Sequence, residues 1–307
     1  MGITSNSWEV KILPGLMIDT DDVCLFVTEK CNSNCIMCPM SLASRKRGLT
    51  IPEIEWGNII DQIPDTPSHI TITGGEPFLE YKNLLLVMEQ INKKFPYTEV
   101  LILSNGRAFS IMSLFEELFP LITEQYCFAV PIHASSSLLH DSITQTPGSF
   151  IQSLRGLKNL SRTDARIEIR IVGHQMNISD LNNTFHMLIK SGVRINVINL
   201  LAMEMMGCAA YNRDSLWVDY HTICQFAEQG IKYALLHGVD VGLYNFPLCT
   251  IPKHMWPLAK QSITPSKVRF YDECQECREY NACGGLFYST FELNLCKVKP
   301  ITGCDER

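Results

Sequence analysis

The sequence predicts an α/β fold, a partial (β/α)6 barrel of the TIM type that carries a small cysteine-rich C-terminal extension. Three observations predict it: β-prone and amphipathic segments take turns along the chain, most of the β-prone runs are apolar nearly throughout, and cysteines crowd the last sixty residues. Continuous apolar runs suit parallel strands covered by helices, and the amphipathic stretches supply the crossovers that parallel strands need.

In chain order, a lead segment over 1–22 precedes a first strand over 23–28, and a helix is expected over 52–62. A strand over 69–73 then leads to a helix over 83–94, a strand over 99–104 to a helix over 111–119, and a strand over 126–133 to a helix over 149–160. The last two strands, over 166–172 and 193–200, flank a helix over 181–190. A further β-like run covers 239–244. Residues 23–245 make the barrel and 246–307 the extension, with no internal repeat and no low-complexity linker. At 307 residues and 46% hydrophobic, the chain is long enough to bury a sizeable core.

Composition narrows the function classes. A net charge of −6 with 19% charged residues argues against a surface that tracks phosphates, so nucleic acid is not an expected partner. The opening Met1-Gly2-Ile3-Thr4-Ser5-Asn6 is polar and no apolar run reaches bilayer length, so a cytoplasmic protein with no membrane partner is expected. Thirteen cysteines without an export signal point to metal clusters in a reducing compartment rather than to disulfides.

Cys31, Cys35 and Cys38 follow the first strand directly. Spaced by three residues and then two, they let one short loop place three thiolates at three corners of an iron cube and leave the fourth iron without a protein ligand. An open iron has room for a substrate or cofactor, by the same logic as an open catalytic zinc site. A zinc reading lacks a fourth Cys or His nearby. The strand over 69–73 ends in Gly74-Gly75-Glu76-Pro77. Alone, such a segment is an ordinary turn.

Together the two motifs resemble the radical S-adenosylmethionine (SAM) superfamily. The resemblance implies a 4Fe-4S cluster on the three cysteines and SAM on the cluster, with Gly74, Gly75, Glu76 and Pro77 receiving the methionine amino group. It implies reductive cleavage of SAM to a 5′-deoxyadenosyl radical that removes a hydrogen atom from substrate. In parallel α/β folds ligands gather at the C-terminal strand ends, so those ends supply further candidates. Arg170 is a candidate for the SAM carboxylate, Ser135 or Ser136 for the ribose, and Asn105 and Leu200 for other cofactor contacts. A strand arginine also commonly makes a structural ion pair. His133 and His174 are candidates for proton transfer or substrate contact, or for hydrogen bonds across the barrel mouth. His140-Asp141 reads as a turn or helix-start signal, and Met203-Glu204-Met205-Met206 as core or pocket lining.

In the extension, Cys274, Cys277 and Cys283 have metal-ligand spacing and Cys249 can supply a fourth corner. Spacing alone leaves a zinc knuckle open. The extension is similar to the auxiliary-cluster tails of radical SAM enzymes that modify ribosomally made peptides, the group of quinone-cofactor and sactipeptide maturases. It departs from their two-cluster form at Phe287, so one auxiliary 4Fe-4S cluster is expected, with Cys296 and Cys304 as alternative ligands. Cys24, Cys127, Cys208 and Cys224 read as small core residues.

Val130-Pro131-Ile132-His133, Glu168-Ile169-Arg170-Ile171-Val172, Tyr244-Asn245-Phe246-Pro247 and the run from Trp256 to Ile263 look like the His-Xaa-Ser system radical SAM maturases. That resemblance implies a peptide or small-protein substrate, an external electron donor and a possible partner maturase. The alternatives are a radical SAM enzyme acting on a small metabolite and a non-catalytic iron-sulfur scaffold.

Overall fold

A computed structural model describes residues 10–19 and 22–303, so Cys304 and half of the lead segment lie outside the described residues. The chain divides into two compact units, the first formed by Met1–Ser33, Leu42–Val130 and Ile151–Ile167, the second by Asn34–Ser41, Pro131–Phe150 and Glu168–Arg307.

In the first unit the end of the lead segment is a hairpin of β1 (Val10–Leu13) and β2 (Leu16–Asp19), and β2 pairs antiparallel with β3 (Asp22–Phe26). Gly15 makes this possible: it turns at φ +77°, and a Cβ there would stand 2.8 Å from Ile51. From β3 onward the pairing is parallel, through β4 (His69–Thr73), β5 (Glu99–Leu103) and β6 (Tyr126–Pro131). In β4, Ile70 and Ile72 are fully buried and alternate with the half-buried His69, Thr71 and Thr73, and in β6 every residue from Tyr126 to Val130 is buried. β-branched and aromatic residues suit such pleated, covered positions. The helix Tyr81–Lys94 buries Leu84, Val87, Met88 and Ile91, the i, i+3, i+4, i+7 stripe of a helix lying on a sheet. Each such side chain contributes about 1.5–3 kcal/mol by leaving water.

The second unit continues with parallel strands β7 (Arg166–Gly173), β8 (Val197–Ala202), β9 (Asp240–Tyr244) and β10 (Ala259–Lys260). The helix Leu181–Lys190 packs its Phe185 on Gly230 of the helix Tyr220–Leu236, where a Cβ would lie 2.8 Å from the phenylalanine's own Cβ. That second helix follows β8 and completes the sixth βα unit, for which the sequence predicts no helix, and β9 is the β-like run expected over 239–244. Sequence pattern hides the helix because small residues, Cys224, Ala227, Gly230 and Ala234, form most of its buried face. The extension adds an antiparallel pair, β11 (Val268–Arg269) and β12 (Leu286–Phe287). Among the described residues no helix is long and apolar enough to cross a membrane.

The expected elements stand with small corrections. The helix expected over 52–62 is a 3-10 turn, Glu53–Glu55, followed by the helix Trp56–Asp61. The sixth strand begins at Val197 rather than 193, since the intervening Arg194-Ile195-Asn196 bridges a turn. Cys127, Cys208 and Cys224 are buried as expected of core residues, whereas Cys24 is half-buried.

One packing constraint in the first unit opposes ordinary helix propensity. Gly156, inside the helix Ser149–Leu160, faces the carbonyl of Gly106, and a Cβ on it would sit 2.0 Å from that oxygen. Gly to Ala inside an exposed helix gains about 1 kcal/mol, but overpacking costs about 1–3 kcal/mol. Gly156→Ala is therefore expected to lower the urea midpoint. An unchanged or raised midpoint would show that the helix and the 106 turn are not in contact.

Candidate active site

Gly74 and Gly75 leave β4 against the backbone that follows β3. A Cβ on Gly74 would lie 2.4 Å from the Thr28 carbonyl, and one on Gly75 would lie 2.2 Å from that of Lys30. Only glycine allows this approach. It is fastened by two hydrogen bonds, Gly75 N–H to Thr28 O at 2.6 Å and Glu76 N–H to Lys30 O at 2.8 Å. The residue after Lys30 is Cys31, so the glycine segment fixes the start of the cysteine loop.

Glu76 is 1% exposed, yet both of its carboxylate oxygens accept hydrogen bonds. Oε1 accepts from Phe78 N–H (3.2 Å) and Ser104 Oγ (2.8 Å), and Oε2 accepts from Asn105 N–H (2.7 Å). Burial pushes its pKa up to about 6, against the pull of those donors and of Arg107. Asn105 in turn donates Nδ2 to Asn32 Oδ1 at 2.7 Å. Arg107 donates Nη1 to the Asn32 carbonyl and to Ser33 Oγ (3.2 Å), and Nε to Gln152 Oε1 (2.6 Å). The Ser33 N–H then points at Cys31 Sγ at 3.4 Å. Sequence reasoning does not single out Arg107, although its place just past a strand end is a usable signal.

The rest of the loop, with Cys35 and Cys38, is anchored within the second unit. Asn34 and Ile36 N–H groups bond to the Thr144 and Ile143 carbonyls at the end of the helix Ser137–Thr144. Asn212 Nδ2 reaches the Ile36 carbonyl at 2.8 Å, and Cys208 N–H bonds the Cys38 carbonyl at 2.9 Å. Gly207 admits the Pro39 and Met40 carbonyls to 2.3 and 2.5 Å of where its Cβ would be. Met37 is buried with Met203, Met205, Ile143, Ala209 and Leu216, so the two inner methionines of the run after β8 are core. Burial raises the pKa of Glu204 between them, with Lys267 opposing at 3.9 Å.

Several other candidates already hold protein partners. Ser135 donates Oγ and N–H to the two oxygens of Asp180 at 2.8 and 2.7 Å, and Ser136 caps the helix Ser137–Thr144 by accepting from Leu139 N–H. Arg170 gives Nε to Glu168 at 2.6 Å, and Leu200 is fully buried in β8. His140 and Asp141 lie within the helix rather than at its start; Asp141 accepts from Gly148 N–H, Ser149 Oγ and Phe150 N–H and so caps the next helix. His133 and His174 are buried, with His133 Nδ1 and His174 Nε2 unpartnered among the described residues. Asn177 ties the two segments, donating to the carbonyls of His133 and Val172 and accepting from His174 N–H. Burial holds His133 well below the ordinary imidazole range and brings His140 and His174 down to about 4.

In the extension, Cys249, Cys274, Cys277 and Cys283 line one cavity of about 410 Å³, counted with its open mouth. Phe270, Tyr280, Leu286 and the stretch from Val298 to Ile301 complete its wall. Among the described residues no three acid, cysteine or histidine side chains stand close enough to grip a single ion. Four thiols on one cavity wall are the donor chemistry that iron-sulfur clusters use. Cys296 is buried beside Cys249, Cys274 and Cys283 but outside this lining, and burial pushes its thiol up to about 12.

Residues 25–188 match the sequence family described as the radical SAM superfamily. A 158-residue stretch is 25% identical to the antilisterial bacteriocin subtilosin biosynthesis protein AlbA of Bacillus subtilis (strain 168), which covers 51% of this chain and 34% of AlbA. Among solved structures, Streptococcus suis SuiB bound to precursor peptide SuiA superposes with a TM-score of 0.58 at 14% identity, covering 72% of this chain and 48% of SuiB. Histidine-tagged anSMEcpe with bound AdoMet gives a TM-score of 0.56 at 11% identity, covering 88% of this chain and 90% of that one. At these identities the structural likeness establishes the fold. The chain spans about a third of AlbA and half of SuiB. With the family match extending over more than half of its length, and with the cysteine loop and the Gly-Gly-Glu-Pro segment both inside it, the chain belongs to the radical SAM superfamily.

Proposed function

We infer that this chain is a radical SAM enzyme that modifies a ribosomally made peptide or small protein in the cytoplasm, taking its electron from an external donor and working beside a partner maturase. The observation that carries the reading is the Gly74-Gly75 approach to residues 28–30, which packs the amino-binding segment of the family against the root of the cysteine loop. The 25% identity to a subtilosin biosynthesis protein supports the peptide substrate. When bound, SAM on a three-cysteine 4Fe-4S cluster supplies a carbon radical able to take a hydrogen atom.

Cys31, Cys35 and Cys38 hold that cluster, each from a backbone already fixed by hydrogen bonds. The backbone of residues 74–77 receives the SAM amino group, and Glu76 adds its charge. Asn105 is held at the same corner by its Glu76 and Asn32 bonds. Because Glu168 takes only Nε of Arg170, the carboxylate role rests on the two terminal guanidinium nitrogens. Ser135 and Ser136 serve the ribose through the oxygens that also meet Asp180 and the helix N-terminus, and the Leu200 segment serves the adenine through its backbone. His133 and His174 are neutral at pH 7, so they act as hydrogen-bonding groups and not as cations. Cys249, Cys274, Cys277 and Cys283 hold the second cluster in the tail that begins at 246.

The reading is tested by anaerobic incubation with SAM, dithionite and the small protein encoded beside this chain, following 5′-deoxyadenosine and substrate mass. Product from the intact peptide, and none from free amino acids, is expected; the reverse preference would replace the peptide with a metabolite. Reconstituted wild type should hold about eight irons and Cys31→Ala/Cys35→Ala/Cys38→Ala about four. About four irons with one zinc in the wild type would make the tail a zinc knuckle.

Glu76 yields a pH signature. Its folded pKa of about 6 lies above the ordinary 4.5, so the native state favours the protonated form. The associated stability is complete below pH 4.5 and is lost as pH rises through 6, an effect of about 2 kcal/mol. Glu76→Gln removes the titration. Wild-type stability relative to that variant should fall by about 2 kcal/mol between pH 4.5 and 7 in urea unfolding, and parallel pH profiles would refute the shifted carboxyl.

A further inference from the structure

Two of the four thiols around the tail cavity accept a backbone hydrogen bond at sulfur. Leu248 N–H donates to Cys283 Sγ at 3.4 Å and Ile301 N–H to Cys277 Sγ at 3.4 Å. The Lys299 and Tyr271 backbones lower the pKa of Cys249 and Cys274 against the burial that raises both thiols. The two donors come from separate places, the turn Leu248–Thr250 and the stretch from Val298 to Ile301. That last stretch is pinned from both sides, since Arg278 N–H also bonds the Ile301 carbonyl at 2.9 Å. Core cysteines need no such arrangement, because a buried thiol packs as a small hydrophobe. Thiolates that carry the charge of a metal cluster do need it, and hydrogen bonds to their sulfurs set the cluster's potential.

We propose that the backbone amides of Leu248 and Ile301 are built electrostatic contacts that raise the reduction potential of the tail cluster, with the 298–301 stretch acting as a positioning wall. The inference rests on the reading of Cys249, Cys274, Cys277 and Cys283 as cluster ligands. Each N–H places partial positive charge against sulfur, and a reduced cluster carries one more negative charge than an oxidised one. The two contacts therefore favour the reduced form. Arg269 and Lys299 in the same wall act in the same direction, and Glu279 in that wall opposes them.

Leu248 allows a clean test. It is the first residue of its 3-10 turn, where proline is tolerated, and Pro247 before it already has the extended φ −62°, ψ 137° that a following proline requires. The turn's own hydrogen bonds, Thr250 N–H to Pro247 O and Ile251 N–H to Leu248 O, do not use the Leu248 amide. Leu248→Pro thus deletes one N–H to sulfur, and Leu248→Ala shortens the side chain while keeping the amide. Both are placed in full-length protein carrying Cys31→Ala/Cys35→Ala/Cys38→Ala, so that only the tail cluster reports in a redox titration followed by electron paramagnetic resonance. We expect Leu248→Pro to lower the midpoint relative to Leu248→Ala by at least a tenfold change in the reduction equilibrium, about 59 mV for one electron. Equal midpoints with a loaded cluster overturn the proposal. Ile301→Pro against Ile301→Ala repeats the test at Cys277 should the first variant not load. A parent protein without any tail iron overturns the ligand reading itself, an outcome the iron count separates from equal midpoints.

Discussion

A single buried carboxylate ties together the C-terminal ends of two neighbouring strands in the first unit. Glu76 has lost nearly all its water, and desolvation alone would drive it neutral; the amides of Phe78 and Asn105 and the Ser104 hydroxyl restore enough of what water supplied to bring its pKa back to about 6. The donors belong to the turn after β4 and to the end of β5, so satisfying one side chain sets the spacing of two neighbouring strand ends. From Asn105 the network runs to Asn32, and from Arg107 to Asn32 and Ser33. The start of the cysteine loop is held by hydrogen bonds whose geometry begins at that carboxylate.

The later half of the loop is fixed by different means. Its amides and carbonyls are taken by the end of the helix Ser137–Thr144, by Asn212 and by Cys208, and Met37 is packed among methionines and leucine. Polar anchoring serves one half of the loop, and backbone pairing with an apolar plug serves the other. In both, the backbone beside each thiol is ordered by the protein's own hydrogen bonds, which suits ligands that must not rearrange when charge changes at the metal.

The sequence made the architecture legible where a chemical rule has no substitute. Continuous apolar strands such as Tyr126 to Val130 announce a covered parallel sheet, and Gly74-Gly75 announces a backbone approach that no other residue permits. The tail thiols were legible by spacing, and the fold gathers all four. What stayed hidden depends on tertiary context. The helix Tyr220–Leu236 buries small residues whose pattern carries little hydropathy contrast. The β1–β2 hairpin is four residues a side, too short for periodicity to speak. Ser135 and Asp141 show their bonds only when Asp180 and the 148–150 amides are brought beside them, and Arg107 gains its meaning only from a loop more than seventy residues earlier.

The methionine packing behind Cys35 and Cys38 links the loop to oxygen in a way that the thiols do not. Met37, Met203 and Met205 are each 6% exposed or less and belong to one apolar cluster. Converting any of these thioethers to a sulfoxide would place a polar, unpartnered oxygen there and push the loop outward. The burial that shields these thioethers from oxidants also leaves the loop no room to absorb a sulfoxide should one form.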